Sequence, residues 1–317
     1  MNSRGSSSAL YLSQRNRRKF MEPHATSLDS RRRQCYDPFK NFQKGGAMFF
    51  NSQGIRLAYD DEGPGLPLVF LHAFPLNRSM WKPQISALSA EFRTIAMDFR
   101  GHGESDAPLW SFSLDDYADD VAALLDHVQV QEAVLVGLSM GGYVSLAFSR
   151  KYGHRLRALV LADTRAQADS PEGRKARFHL AQTALTQGTE AVADTMLPKL
   201  LGATSLNNRP ELVESTRRMI HRTPVSGILV DLMAMAARPD SVAQLPVISC
   251  PTLVVIGAED QTTPVVDAQL MAREIPHARL AVIPAAGHLS NCEQPERFNE
   301  LLREFVEGLQ EGGRERT

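Results

Sequence analysis

The segment Gly137-Leu138-Ser139-Met140-Gly141, followed by Gly142, sets a serine hydroxyl between small residues two positions before and after it. It directly follows the apolar run Ala133–Val136 and directly precedes a helical pattern from Met140 to Tyr152. A nucleophile at a tight strand-to-helix turn needs small neighbours, because a Cβ on either flank would clash in the strained backbone. The turn lifts Ser139 Oγ clear of the main chain. It also puts the positive end of the following helix where negative charge develops in acyl transfer.

A hydroxyl is a poor nucleophile without a base. His288, in Ala286-Gly287-His288-Leu289 just past the last apolar run, is the candidate. The base in turn needs a carboxylate to fix its tautomer and stabilise its charged form. Asp260, in Gly257-Ala258-Glu259-Asp260, stands at the end of the run Leu253–Ile256. Glu259 is its close rival and Asp163 a more distant one, and Asp260 also suits a turn or helix cap ahead of Pro264. Two N–H donors are needed for an oxyanion. Met140 supplies one, and the turn His72-Ala73-Phe74-Pro75 supplies the other. Pro75 has no N–H, so Phe74 is the choice and Ala73 the second. His72 reads as a support for that turn. The cluster from Asp98 to Ser105 lacks the spacing of a Walker loop or a dinucleotide fold and reads as a structural turn with an internal Asp98–Arg100 network. No metal site is implied, because no histidine pair has ligand spacing with acids nearby. No cofactor is implied either.

The elements that must position these residues alternate along the chain. Strand-like runs appear at Ile55–Tyr59, Leu68–Leu71, Phe92–Met97, Ala133–Val136, Leu156–Leu161, Leu253–Ile256 and Leu280–Ile283. From Leu68 onward they read as continuous apolar strands, suited to burial on both faces. Helical patterns fall at Leu114–His127, Met140–Tyr152, Pro264–Ile275 and Pro295–Leu309. This predicts an α/β fold: a mostly parallel sheet with helices on both faces. Between about Asp163 and Pro246 the pattern is helical only, at Glu172–Thr186, Thr189–Leu201, Pro210–His221 and Val225–Ala236. A long excursion of this kind is usually a lid or binding element. The expected organisation is a core over 48–163 and 246–312, with a helical cap over 164–245.

Composition bounds the rest. The chain has 317 residues, 43% apolar and 22% charged, with a net charge of −1. That excludes a wholly disordered chain and a uniformly basic nucleic-acid binder. No apolar run approaches the roughly 18–20 residues of a membrane-spanning helix, so no membrane partner is expected. Three scattered cysteines favour a reducing compartment over a disulfide framework, and a cytoplasmic location is expected. Charge is uneven, however. Residues 1–47 carry ten Lys/Arg and three Asp/Glu, whereas 48–317 carry 25 and 33. The first segment reads as a disordered basic extension, either without a role or preceding a true start at Met48. Its Arg- and Ser-rich composition also resembles a transit peptide or a weak nucleic-acid tail.

From about Phe49 to Gly308 the chain resembles an α/β-hydrolase fold protein. The motifs are His-Ala-Phe-Pro at 72–75, Asp-Phe-Arg-Gly-His-Gly-Glu-Ser at 98–105 and Gly-Leu-Ser-Met-Gly-Gly at 137–142, with Gly-Ala-Glu-Asp at 257–260 and Gly-His-Leu-Ser-Asn at 287–291. Ala73 departs from the glycine many members carry there. The order Ser139, Asp260, His288 matches the family's nucleophile, acid and base. Met-Trp-Lys-Pro-Gln at 80–84 and His-Leu-Ser-Asn-Cys-Glu-Gln-Pro-Glu at 288–296 resemble 3-oxoadipate enol-lactonase-like esterases. Gly-x-Ser-Met-Gly-Gly is also similar to cofactor-free haloperoxidase-type esterases. The serine argues against dehalogenases and epoxide hydrolases, which resemble this fold but use Asp. The resemblance implies a serine hydrolase acting on a small-molecule ester or lactone, or alternatively C–C hydrolysis or perhydrolysis on the same triad. A non-catalytic receptor that keeps the hydrolase shell is the alternative from another class. Trp81, Met196, Leu200 and Met233 are expected to line the substrate pocket. Arg165, Arg174 and Arg177 could meet an anionic substrate. Oligomeric state is not legible in the sequence.

Overall fold

The structure is a computed structural model that describes residues 47–107 and 112–314. Apart from Ala47, the expected basic extension lies outside the described residues. The strands are β1 (Met48–Ser52), β2 (Ile55–Glu62), β3 (Pro67–Leu71), β4 (Arg93–Met97), β5 (Ala133–Leu138), β6 (Leu156–Ala162), β7 (Thr252–Gly257) and β8 (Arg279–Ile283). Among the described residues they form one sheet in the order β1-β2-β4-β3-β5-β6-β7-β8. β2 pairs antiparallel with β1 and with β4. The remaining pairs are parallel.

Every residue of β5 and β7 is buried, as their unbroken apolar runs require. β8 departs from that expectation. It is the edge strand, and its Leu280 and Val282 are 38% and 46% exposed. An apolar run reports that a strand exists, but neighbours on both sides and on both faces decide whether it is covered.

The helices are α1 (Lys82–Leu88), α2 (Leu114–His127), α3 (Met140–Tyr152), α4 (Pro171–Leu200), α5 (Ala203–Asn208), α6 (Pro210–Arg222), α7 (Val225–Ala237), α8 (Val265–Glu274), α9 (Ser290–Glu293) and α10 (Pro295–Arg314). α1 packs on α10, and α2 packs on α3, so helices cover both faces of the sheet. The start of α2 is fixed locally: Asp116 Oδ2 accepts the Ser113 N–H at 2.8 Å, closing the first turn. Among the described residues no helix is long and apolar enough to cross a membrane.

Helices α4 to α7 occupy the stretch between β6 and β7. α4 breaks at Gly188, whose φ of 79° no helix contains. Hydrogen bonds tie this insertion to the sheet domain at several points. Thr223 Oγ1 donates to the Pro75 carbonyl at 2.9 Å, Thr262 Oγ1 donates to the Lys199 carbonyl at 2.8 Å, and the Tyr117 hydroxyl donates to Asp231 on α7.

The 98–105 turn is built differently from its expected internal pair. Asp98 accepts the Arg78 N–H at 2.7 Å, and the Arg78 guanidinium also grips it. Arg100 instead forms a two-pronged bond to Asp120 on α2, at 2.7 and 2.6 Å, with both side chains fully buried. Buried charges persist only when well paired. A fork-to-carboxylate fit from a separate element satisfies them better than two neighbours in one turn.

Candidate active site

Ser139 sits between β5 and α3 with φ 55° and ψ −111°, a conformation that L-residues seldom adopt. The flanking glycines make it possible. A Cβ on Gly137 would lie 2.3 Å from the Gly141 carbonyl oxygen, and one on Gly141 would lie 2.1 Å from that of Leu71. The second contact also seats the end of β3 against the first turn of α3. Two bonds from β6 and its exit fix the strained residue: Ser139 N–H donates to the Ala162 carbonyl at 2.9 Å, and Thr164 Oγ1 donates to the Ser139 carbonyl at 2.8 Å.

His288 Nε2 stands 2.7 Å from Ser139 Oγ. On its far side, His288 Nδ1 stands 2.7 Å from Asp260 Oδ2. The three sequence-predicted residues are therefore brought together in an unbroken relay. Exposures of 8% for Ser139, 7% for Asp260 and 1% for His288 keep that relay nearly free of bulk water. Asp260 also caps the turn ahead of Pro264. Its Oδ1 accepts the Thr262 and Thr263 N–H groups at 2.7 and 3.0 Å, and its Oδ2 accepts the Thr263 hydroxyl at 2.6 Å. Burial pushes the Asp260 carboxyl up, but the charge of His288 and these hydrogen bonds outweigh it and hold it below the usual carboxylate range.

The two rival acids have other work. Glu259 accepts the Thr204 N–H at 2.9 Å, and its carboxyl is held low chiefly by hydrogen bonds from Thr204. Asp163 is fully buried beside the relay. Its Oδ1 accepts the Gly257 N–H at 2.8 Å, and its Oδ2 accepts the Ser290 hydroxyl. Burial and the neighbouring charge of Asp260 push the Asp163 carboxyl well above its ordinary range. Of these two adjacent carboxyls, Asp260 is the one held low and Asp163 the one pushed up.

The turn after β3 offers the Phe74 N–H as a donor. The Ala73 N–H is engaged by the Met80 sulfur at 3.3 Å. The N–H groups of Phe74 and Met140 have no acceptor among the described residues. His72 holds this turn: its Nδ1 meets the Ala73 carbonyl at 3.0 Å, and its Nε2 accepts the Phe99 N–H at 3.0 Å. Burial drives the His72 pKa well down, so it is neutral.

The expected pocket residues fare unevenly. Trp81 is fully buried and packs between Phe70 and Phe298 at ring distances of 5.1 and 6.0 Å. It is a core residue with no surface to offer a substrate. Leu200 is also buried, in the last turn of α4, while Met196 and Met233 are half-buried on the insertion. Two of the three arginines are occupied: Arg165 lies 3.6 Å from Asp267, and Arg177 grips Asp169. Arg174 is exposed. Among the described residues, no group of three His, Cys, Asp or Glu is placed to hold a metal ion.

Sequence reasoning missed Thr164, Thr263 and Thr223, whose hydroxyls brace Ser139, Asp260 and the Phe74 turn. Only Thr263 left a trace, since an acid followed two and three residues later by Thr-Thr suits an Asx-type turn.

The family model for the alpha/beta hydrolase fold matches residues 67–295. The chain belongs to the α/β-hydrolase fold family. It is 34% identical over 235 residues to 3-oxoadipate enol-lactonase 2 of Acinetobacter baylyi, covering 74% of this chain and 86% of that one. Among solved structures it resembles a thermophilic esterase from Thermogutta terrifontis, with malate bound, at 42% identity and a TM-score of 0.80 over 84% of this chain and 99% of that one. The enol-lactonase from Burkholderia xenovorans LB400 gives 30% identity and a TM-score of 0.77 over 82% and 99%. An α/β-hydrolase assignment thus agrees with the eight-stranded, mostly parallel sheet.

Proposed function

We propose that this α/β-hydrolase is a serine esterase cleaving a small carboxylic ester or lactone through an acyl-enzyme on Ser139. The observation that carries the reading is the relay from Asp260 through His288 to Ser139, with both links at 2.7 Å. His288 takes the Ser139 proton as Oγ attacks the carbonyl carbon. The Phe74 and Met140 N–H groups hold the resulting oxyanion. His288 then returns the proton to the leaving alcohol, the C–O bond breaks, and Ser139 is left acylated. Water, deprotonated by His288, attacks the acyl carbon and releases the acid with Ser139 restored. Asp260 orients the imidazole and stabilises its charged form throughout. In a lactone, acid and alcohol leave as one molecule. Similarity to esterases and enol-lactonases supports this substrate class.

The test is a fluorophosphonate probe and a panel of short p-nitrophenyl esters, an enol-lactone and a C–C substrate. The probe should label Ser139, and Ser139→Ala should lower kcat by several orders of magnitude with little change in stability. Full activity in Ser139→Ala, or folded protein that resists the probe, overturns the reading.

A further inference from the structure

A concavity of about 530 Å³ lies apart from the relay, between α6 and the α1 and α9 region. None of Ser139, Asp260 or His288 lines it. Its apolar lining comes from Met80, Pro83, Leu212, Met219, Cys292 and Pro295. Its remaining charged lining is Lys82, Arg209, Arg218 and Arg222 against a single acid, Glu211.

This cationic excess runs against the rest of the domain, where acids outnumber bases over residues 48–317. The excess is also poorly neutralised. Lys82 and Arg222 have no carboxylate partner among the described residues. Arg218 meets Glu214 at 3.2 Å, but both side chains are more than half exposed, so the pair is weak and exchangeable. Arg209 is held in place through the Glu293 carbonyl at 2.7 Å, with Glu211 at 3.4 Å. Cys292 adds no reactivity, because burial pushes its thiol up to about 12.

We infer that this groove binds a small amphipathic carboxylate: an apolar tail against the methionines, and an anionic head among Lys82, Arg218 and Arg222. The volume falls within the usual range for small-ligand sites. Guanidinium groups match a carboxylate with directed, charge-assisted hydrogen bonds. A neutral ligand would gain nothing from the cations, and a bare anion would gain nothing from the apolar lining. The inference does not rest on the hydrolase reading.

Full-length protein carrying methyl-13C methionine is titrated with octanoate, with 1-octanol as tail alone and with acetate as head alone. Met219→Leu assigns the reporting resonance. Octanoate should shift the Met219 methyl saturably, and either control should bind at least about tenfold more weakly. Arg218→Gln/Arg222→Gln should weaken octanoate by at least about tenfold, with the other methionine resonances unmoved. Ser139→Ala should bind octanoate as the wild type does, which separates this result from the fate of the esterase reading. An unmoved Met219 resonance, octanol binding as tightly as octanoate, or unchanged affinity in the double variant overturns the inference.

Discussion

Asp260→Asn tests whether the relay works by tautomer control rather than by proximity alone. The wild-type carboxylate divides its oxygens. Oδ1 accepts two main-chain N–H groups, from Thr262 and Thr263, and Oδ2 faces His288 Nδ1 and the Thr263 hydroxyl. Only an oxygen can satisfy the two N–H groups, so the asparagine must place its carbonyl there and its NH₂ where Oδ2 was. The Thr263 hydroxyl can reverse and accept. His288 Nδ1 must also accept, which moves the ring proton to Nε2. Nε2 then donates to Ser139 Oγ and can no longer take its proton.

The geometry is preserved and the chemistry is lost. A wrong tautomer costs about 10⁴ in kcat, or about 5.4 kcal/mol at about 1.36 kcal/mol per decade. Stability carries a separate signature. The Asp260 carboxyl is held low in the folded state, so its contribution is present above the unfolded carboxyl pKa and is lost as pH falls through the folded value. The variant lacks that acid-side loss. Steady-state hydrolysis of p-nitrophenyl acetate at neutral pH and thermal melts from about pH 2 to 7, which span the carboxyl range below about 3.9, measure both effects, with Glu259→Gln as the control that should keep its kcat. A kcat within tenfold of wild type would refute tautomer control. A grossly unfolded variant would refute the claimed division of the oxygens.

Two further substitutions probe the frame. In the wild type, burial and the charge of Asp260 push the folded Asp163 carboxyl well above its ordinary range, whereas in the unfolded chain it ionises near the usual value of about 3.9. Stability should therefore fall as pH rises above about 4, by up to about 1.4 kcal/mol per pH unit, until the folded carboxyl itself ionises. Asp163→Asn should remove that slope in urea melts from pH 4 to 8, and identical slopes would contradict it. Gly141→Ala would press a Cβ to 2.1 Å from the Leu71 carbonyl oxygen. It should cost about 1–3 kcal/mol and lower kcat by displacing the Met140 N–H. A neutral melt and unchanged rate would show that the contact relaxes freely.

What was legible in the sequence was local. α2 and α3 fall on the expected bounds because each carries a start signal and an apolar period of its own. The β5–Ser139–α3 turn is legible because its steric demand falls on glycines two residues away. α1 was not read, since it is seven residues long with Pro83 at its start, too short for a period to emerge. Trp81 shows the converse failure. Its motif drew it toward the substrate, but one turn later α1 packs on α10, and the indole fills the layer beneath.

Charge pairing was illegible for a different reason. Asp98 and Arg100 are neighbours in sequence, yet each is neutralised from another element, Arg78 on one side and Asp120 on the other. Sequence proximity ranks partners poorly when burial rewards two-pronged geometry. The same limit applies to the support of the relay. Asp163 and Thr164, adjacent at the exit of β6, reach the turns that carry all three relay residues: Thr164 the Ser139 carbonyl, Asp163 the Gly257 N–H on the Asp260 side and Ser290 on the His288 side. A single dipeptide can do this only because β6 lies between β5 and β7 in the sheet. Three side chains from spaced motifs thus depend on strand order for their bracing, and strand order is a property of the folded sheet that no single motif encodes.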